Sequence, residues 1–125
     1  DYRVEHPAAQ KLKKRAGEPF TLTLVENPDI ARAVGERKQP GQVLVGFAAE
    51  TENVLENARG KLLSKRLDLI VANDVTAEGA GFGTDTNIVT LISRGGMETL
   101  PLMSKREVAH RIWDAALALR STQPQ

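Results

Sequence analysis

Hydrophobic and polar positions along the chain fall into short runs separated by turn-forming residues. Phe20-Thr21-Leu22-Thr23-Leu24-Val25 alternates apolar with polar residues and is rich in β-formers, which predicts a strand. Gln42 to Phe47 and Leu67 to Ala72 are short apolar runs bounded by turn residues, the pattern of strands buried in a parallel sheet. Asn87 to Ile92 predicts another strand, Arg94-Gly95-Gly96 a tight turn, and Met97 to Leu102 the hairpin partner.

Helical spacing occupies the gaps. Asn27-Pro28-Asp29 is a helix start: Asn27 suits the N-cap, Pro28 the first helical position, and Asp29 complements the dipole. That helix is expected to run to about Gly35, with Glu36 to Gly41 as a loop. Thr51 to Lys65 is the next helix, capped by Thr51, with Val54, Leu55, Ala58 and Leu62 on one stripe. Ser104-Lys105-Arg106-Glu107 is a capping box that opens a last helix. Its inward residues are expected to be Val108, Ile112, Ala115, Ala116 and Leu119. Asp1 to Ala9 reads as irregular, Asn73 to Thr86 as a long loop around Gly79-Ala80-Gly81-Phe82-Gly83, and Ser121 to Gln125 as a fraying tail. Strand, helix, strand, helix, strand, hairpin and helix imply an α/β fold: a Rossmann-like parallel sheet with flanking helices, plus a C-terminal β-hairpin and helix. In such sheets ligands bind beyond the carboxyl ends of the strands. Those ends are Val25 to Pro28, Phe47 to Thr51 and Ala72 to Val75.

Composition narrows the class. The 125 residues suit one domain, with 41% hydrophobic and 26% charged residues. A net charge of +1 gives no general reason to expect nucleic acid. The chain has no cysteine, so disulfides and cysteine chemistry are excluded. No apolar run reaches the length of a membrane span and no signal peptide is legible, which leaves a soluble, cytoplasmic protein as the expectation. The first residue is Asp1 rather than Met, so an upstream part is expected to have been removed.

Several residues are candidates for chemistry, each with a plainer alternative. Lys11-Leu12-Lys13-Lys14-Arg15 places four positive charges in five residues. Such a cluster suits a polyphosphate, or it is a solvated basic stretch. Lys61 and Lys65 lie on one helix face and repel unless an anion sits between them; the alternative is that they meet the dipole of the helix C-terminus. The helix start at Asn27 to Ile30 can hold an anion on backbone N–H groups, or it is ordinary capping. Phe47 ends a buried strand, and Ala48 and Ala49 after it let a planar ring approach for stacking; the alternative is a core phenylalanine. The glycines near 79–83 do not match a dinucleotide fingerprint, because the spacing is wrong and a strand follows. Turn chemistry accounts for Asn73 and Asp74. His6 and His110 make no metal motif, His110 is expected to be exposed, and Trp113 is expected at the edge of the core. No acidic cluster reaches metal-site density.

In order, the motifs form a larger pattern. Asp1-Tyr2-Arg3, Lys11 with Lys13-Lys14, Asn27-Pro28-Asp29-Ile30, Gly46-Phe47-Ala48-Ala49-Glu50-Thr51, Ala58-Arg59 with Lys61, Lys65 with Asp68, Ala72-Asn73-Asp74-Val75, and Gly81-Phe82 with Asp85 and Asn87 run through nearly the whole chain. This pattern resembles the bacterial phosphopantothenate–cysteine ligases, usually the C-terminal half of a bifunctional coenzyme A biosynthesis protein whose other half is an FMN decarboxylase. The resemblance implies a reaction in which CTP and Mg2+ activate the carboxylate of 4′-phosphopantothenate as an acyl-cytidylate. The cysteine amine then attacks to form the amide and release CMP. It implies that Lys11 belongs to a mobile flap over the intermediate. It implies nucleotide contacts for Asp1, Pro28, Asp29, Ile30, Ala31, Phe47, Lys61 and Lys65. It implies a homodimer, with the hairpin Asn87 to Leu102 as a candidate interface. The family's glycine-rich region before Asp1 is absent, so the chain is expected to be a C-terminal portion of the ligase domain with incomplete activity alone. The competing expectations are a non-catalytic nucleotide-binding α/β module and, on the basic stretch, a nucleic-acid binder; the latter lacks interleaved aromatics.

Overall fold

The computed structural model describes residues 1–80 and 83–122. Gly81, Phe82 and residues 123–125 lie outside the described residues, and with them part of the expected glycine loop and tail. The elements are β1 (Tyr2–Val4), β2 (Leu24–Glu26), α1 (Ile30–Arg37), β3 (Val45–Glu50), α2 (Val54–Ser64), β4 (Leu69–Asp74), β5 (Thr86–Asn87), β6 (Val89–Ser93), β7 (Gly96–Thr99), β8 (Met103–Ser104) and α3 (Lys105–Thr122).

The main sheet has the order β3-β4-β6-β7. Only β3 and β4 are parallel, joined by the α2 crossover; β4–β6 and β6–β7 are antiparallel. The expected α/β arrangement of sheet, flanking helices, hairpin and last helix is therefore present, but the sheet is mixed rather than parallel. The reason lies in the connections. A parallel return needs a crossover of a dozen or more residues, usually helical. The stretch after β4 contains no helix among its described residues, and β6 runs back beside β4. β5 and β8 form a separate two-stranded ladder.

The two sheet faces bury two clusters. On one, Ala58 and Leu62 of α2 pack on Ala48, Ile70, Ala72 and Ile92, with Leu67. On the other, Val108, Ile112, Ala115 and Leu119 of α3 pack on Leu69, Val71, Val89 and Leu91. Strand β4 lies between both helices, which is why Leu69 to Ala72 are all buried and why the run is continuously apolar. Gly46 is required by this packing: a Cβ there would stand 2.5 Å from the Leu67 side chain.

The expected strand at 20–25 is a correction. Only Leu24–Glu26 forms a strand, and it pairs antiparallel with β1 outside the main sheet. Residues 5–23 hold no regular element and are exposed. Its alternation marks a strand preference, but no sheet face receives its apolar side. β3 is consequently an edge strand, as is β7.

Helix starts differ in detail. The cap of α1 is Asp29, whose carboxylate accepts from the Arg32 N–H at 3.0 Å, so Asn27 and Pro28 stand outside the helix. Thr51 does not cap α2. β3 continues to Glu50 to complete its pairing with Asp74, and the chain turns through Asn53 at φ 46° with no side-chain cap. The capping box at α3 forms as expected: Ser104 N–H and Oγ–H donate to Glu107 Oε2 at 2.9 and 2.7 Å, and Glu107 N–H donates to Ser104 Oγ at 3.2 Å. Trp113 is 68% exposed rather than at the core edge. It follows Ile112 by one residue, about 100° round the helix from the inward stripe. His110 is exposed as expected. Ser121 and Thr122 continue α3 instead of fraying, and their hydroxyls donate to the Leu117 and Leu119 carbonyls at 3.1 and 2.9 Å.

Candidate functional site

The short helix α1 is held at three points against the end of α2. In the middle, Gly35 lies on the Lys65 carbonyl so closely that a Cβ would stand 1.9 Å from its oxygen. At the C-terminal end, Lys38 Nζ reaches both oxygens of Asp68 at 2.7 and 2.8 Å and the Arg66 carbonyl at 2.9 Å. Asp68 also accepts from the Leu44 N–H at 2.7 Å, tying this clamp to the approach to β3. At the N-terminal end, Lys65 Nζ meets Asp29 Oδ2 at 3.1 Å. The Arg32 N–H, and then Lys65, hold the Asp29 carboxyl below its ordinary value.

Lys61, one turn earlier on α2, pairs with Glu50 at the end of β3. The sequence expectation was a shared anion between the two lysines. Instead each ammonium has its own carboxylate, supplied by a different element, and this relieves the repulsion of the i, i+4 pair. A row of four charges results, Asp29, Lys65, Lys61 and Glu50, with the two cations in the middle and a carboxylate at each end. An arriving polyanion would meet two cations already fixed in direction, in competition with the two carboxylates.

The β1–β2 ribbon brings the front of the chain to the same place. Tyr2 pairs with Glu26, and the Asn27 N–H donates to the Asp1 carbonyl at 2.8 Å. Arg3 adds a bond to the Glu26 carbonyl at 2.6 Å. Asp1 therefore stands beside Asn27 and next to the start of α1. Of that start, Ile30 is 75% exposed, and the N–H groups of Ile30 and Ala31 have no acceptor within the helix because of their position.

The expected residues thus separate into three groups. Asp1, Pro28, Asp29, Ile30, Ala31, Lys65 and Lys61 form one continuous region. Phe47 does not end a buried strand: it is the third residue of β3 and is 72% exposed. Alternate strand residues point to opposite faces. Ala48 packs on the α2 side, so Phe47 leaves from the α3 side, and Lys61 sits on the other. Lys11 is exposed in the irregular stretch and meets none of the others. No three His, Asp or Glu side chains converge as a metal cluster among the described residues.

Sequence reasoning missed Glu50 and the Lys38–Asp68 clamp as partners, because nothing local in the sequence joins them. It also read Asn73 and Asp74 alike as turn residues. Asp74 fits that: it accepts from the Thr76 N–H and hydroxyl at 2.9 and 2.6 Å, which lowers its pKa. Asn73 does not. It is a β4 residue whose Oδ1 is buried with no hydrogen-bond partner. The available signal was the alternation Leu69, Val71, Asn73, which puts an amide on an otherwise apolar face.

Comparison with known proteins is consistent in direction. The family described as DNA/pantothenate metabolism flavoprotein C-terminal domain matches residues 1–119. The coenzyme A biosynthesis bifunctional protein CoaBC of Bacillus subtilis is 52% identical over 110 residues, which is 87% of this chain and 27% of that protein. Its counterpart in Escherichia coli K12 is 43% identical over 116 residues, 91% of this chain and 29% of that protein. Among solved structures, the C-terminal domain of a CoaBC protein superposes with a TM-score of 0.68 at 36% identity, over 92% of this chain and 47% of that one. A DNA/pantothenate metabolism flavoprotein from Streptococcus pneumoniae gives 0.65 at 26% identity, over 83% of this chain and 46% of that one. The chain spans less than a third of these curated relatives and about half of the solved chains.

Proposed function

Since this chain belongs to the family of DNA/pantothenate metabolism flavoprotein C-terminal domains, we propose that it acts in coenzyme A biosynthesis, as the nucleotide-handling portion of a CTP-dependent phosphopantothenate–cysteine ligase. The relatives in Bacillus subtilis and Escherichia coli, both coenzyme A biosynthesis proteins, support the pathway. The observation that carries the nucleotide role is the region around α1, where Lys61 and Lys65 stand fixed beside a helix N-terminus and Asp1.

In this reading the triphosphate lies along Lys61 and Lys65, and the Ile30 and Ala31 N–H groups donate to its oxygens. A carboxylate oxygen of 4′-phosphopantothenate attacks the α-phosphorus, and pyrophosphate leaves. The cysteine amine then attacks the acyl carbon, the amide forms, and CMP leaves with the bonding electrons. Lys11, carried on the long exposed stretch, closes over the acyl-cytidylate and offsets its charge. Phe47 lies against the cytidine. Mg2+ is carried by the triphosphate with at most one or two carboxylates, the usual habit of that ion. The phosphopantothenate contacts fall largely to parts of such proteins beyond these residues, and FMN belongs to their decarboxylase half. The reading includes a cytoplasmic homodimer in which the exposed strand β7 contributes to the interface. It involves neither nucleic acid nor a membrane, and no helix among the described residues is long and apolar enough to cross one.

Calorimetric titration of MgCTP and MgATP tests the core of the proposal. CTP is expected to bind more tightly. Lys61→Ala and Lys65→Ala are each expected to weaken it about tenfold or more, the usual cost of a lost charge-assisted hydrogen bond. Unchanged CTP affinity in both variants would overturn the placement of the triphosphate. In the full-length protein, Lys11→Ala is expected to slow turnover or let the acyl-cytidylate accumulate.

A further inference from the structure

Most of a helix's stability in a protein comes from burying an apolar face. Helix α1 lacks that support. Among the described residues it gives no side chain to either core cluster, its Ile30 and Val34 stay exposed, and its buried residue is Gly35. Its seat therefore depends on the Gly35 contact and on an ion pair at each end. The two pairs differ. Asp29–Lys65 joins an exposed carboxylate to a half-buried ammonium at the N-terminal end. Lys38–Asp68 lies at the other end, with side chains only 19% and 16% exposed. Lys38 is the residue that closes α1. Its three N–H donors have three acceptors: both Asp68 oxygens and the Arg66 carbonyl. Asp68 in turn belongs to the body of the fold. It stands between the buried Leu67 and Leu69 and accepts from the Leu44 N–H.

We propose that Lys38 is a positioning residue for nucleotide binding: its clamp on Asp68 sets the direction of α1 and so aims the Ile30 and Ala31 N–H groups at the phosphates. The proposal rests on the nucleotide reading above and adds a residue that does not touch the nucleotide. Nine residues separate Asp29 from Lys38, about 13 Å by helix rise. A phosphate on Lys65 competes with Asp29 for that ammonium. The N-terminal tie of α1 therefore weakens when the helix is needed there. The Lys38 tie lies beyond the reach of that competition and keeps the helix seated. Gly35 fixes how closely α1 approaches α2, but one close contact leaves a helix free to pivot; a second, distant one removes that freedom.

The test is calorimetric binding of MgCTP to the full-length protein, with steady-state kinetics in CTP. Lys38→Met removes the ammonium at similar length and is expected to weaken binding about tenfold. KM for CTP is expected to rise by the same factor, with kcat changed by less than about twofold. The double variant Lys38→Met/Asp68→Asn removes both charges, so the net charge is unchanged, and the new amide oxygen can still accept from the Leu44 N–H. It is expected to melt closer to wild type than Lys38→Met, because no half-buried carboxylate has lost its cation, and still to bind CTP about tenfold more weakly. Lys38→Arg keeps the pair and is expected to bind within about threefold of wild type. In nucleotide-free protein, hydrogen exchange of the α1 amides is expected to quicken in both methionine variants while that of the β4 amides stays the same. If Lys38→Met does not fold, the double variant and Lys38→Arg carry the comparison. Wild-type CTP affinity in the double variant overturns the positioning role alone, as does unchanged α1 exchange or an arginine variant as weak as the methionine one. Failure of the wild type to bind CTP overturns the nucleotide reading itself.

Discussion

In the sheet, Leu69, Ile70, Val71 and Ala72 are each at most 2% exposed, enclosed between α2 and α3. In the first 26 residues nothing is buried, and Tyr2, Leu12, Phe20, Leu22 and Leu24 are all more than half exposed. Both regions carry β-forming apolar residues. The difference lies in what meets them. β4 has a strand on each side and a helix on each face; β2 has only the three-residue strand β1. The core therefore supports itself, whereas the front segment leaves its apolar and charged side chains exposed.

The largest test of that contrast is a pair of truncations. Ile92→Ala, at a residue 0% exposed, is expected to lose about 2–5 kcal/mol in urea unfolding. Phe20→Ala is expected to stay within about 0.5 kcal/mol. Similar losses from both would show that the front segment is packed and would break the comparison. Gly35→Ala comes next. It forces a methyl group against the Lys65 carbonyl, and overpacking of this kind is expected to cost about 1–3 kcal/mol. Because the same displacement moves Asp29 from Lys65, the variant is also expected to weaken CTP binding, whereas Ile92→Ala lowers stability without that selective loss. Ser104→Ala removes the α3 cap and is expected to cost about 1 kcal/mol, with nucleotide affinity unchanged.

The smallest effect is a pH dependence. The Arg32 N–H and Lys65 hold the folded Asp29 carboxyl below its ordinary value of 3.8. A depressed folded pKa means that the stabilisation is present above the unfolded value and is lost as pH falls through the folded one. Acid unfolding of wild type should therefore steepen below about pH 4. Asp29→Asn should flatten that limb without abolishing it, since Thr76 lowers Asp74 and Ser104 lowers Glu107 in the same direction. An unchanged acid limb in Asp29→Asn would show that its pairing adds nothing to stability.

Much of the architecture was legible in the sequence because local chemistry decides it. The Ser104–Glu107 capping box, the Arg94 to Gly96 turn and the inward stripe of α3 each depend on residues within a few positions of one another. The apolar runs gave β3 and β4 two or three residues early, because Gln42 to Leu44 and Leu67 are approach segments whose apolar groups pack without pairing. Strand direction was not legible: Asn87 to Ile92 reads the same whether it runs with β4 or against it, and only the connection decides. The cations of the candidate site were visible by type and spacing. Their partners were not, since Glu50 and Asp29 reach Lys61 and Lys65 from other elements. Asn73 became conspicuous only once β4 had two assigned faces.

Strand β3 has one further consequence. Its outer edge has no partner strand among the described residues, and its sequence Val45-Gly46-Phe47-Ala48-Ala49-Glu50 contains a single charge and no proline. Exposed sheet edges are normally blunted by lysines, prolines or bulges, because a free row of backbone donors and acceptors is a template for any extended chain. In concentrated solution, β3 is therefore the edge at which this polypeptide is expected to pair with extended segments of other chains.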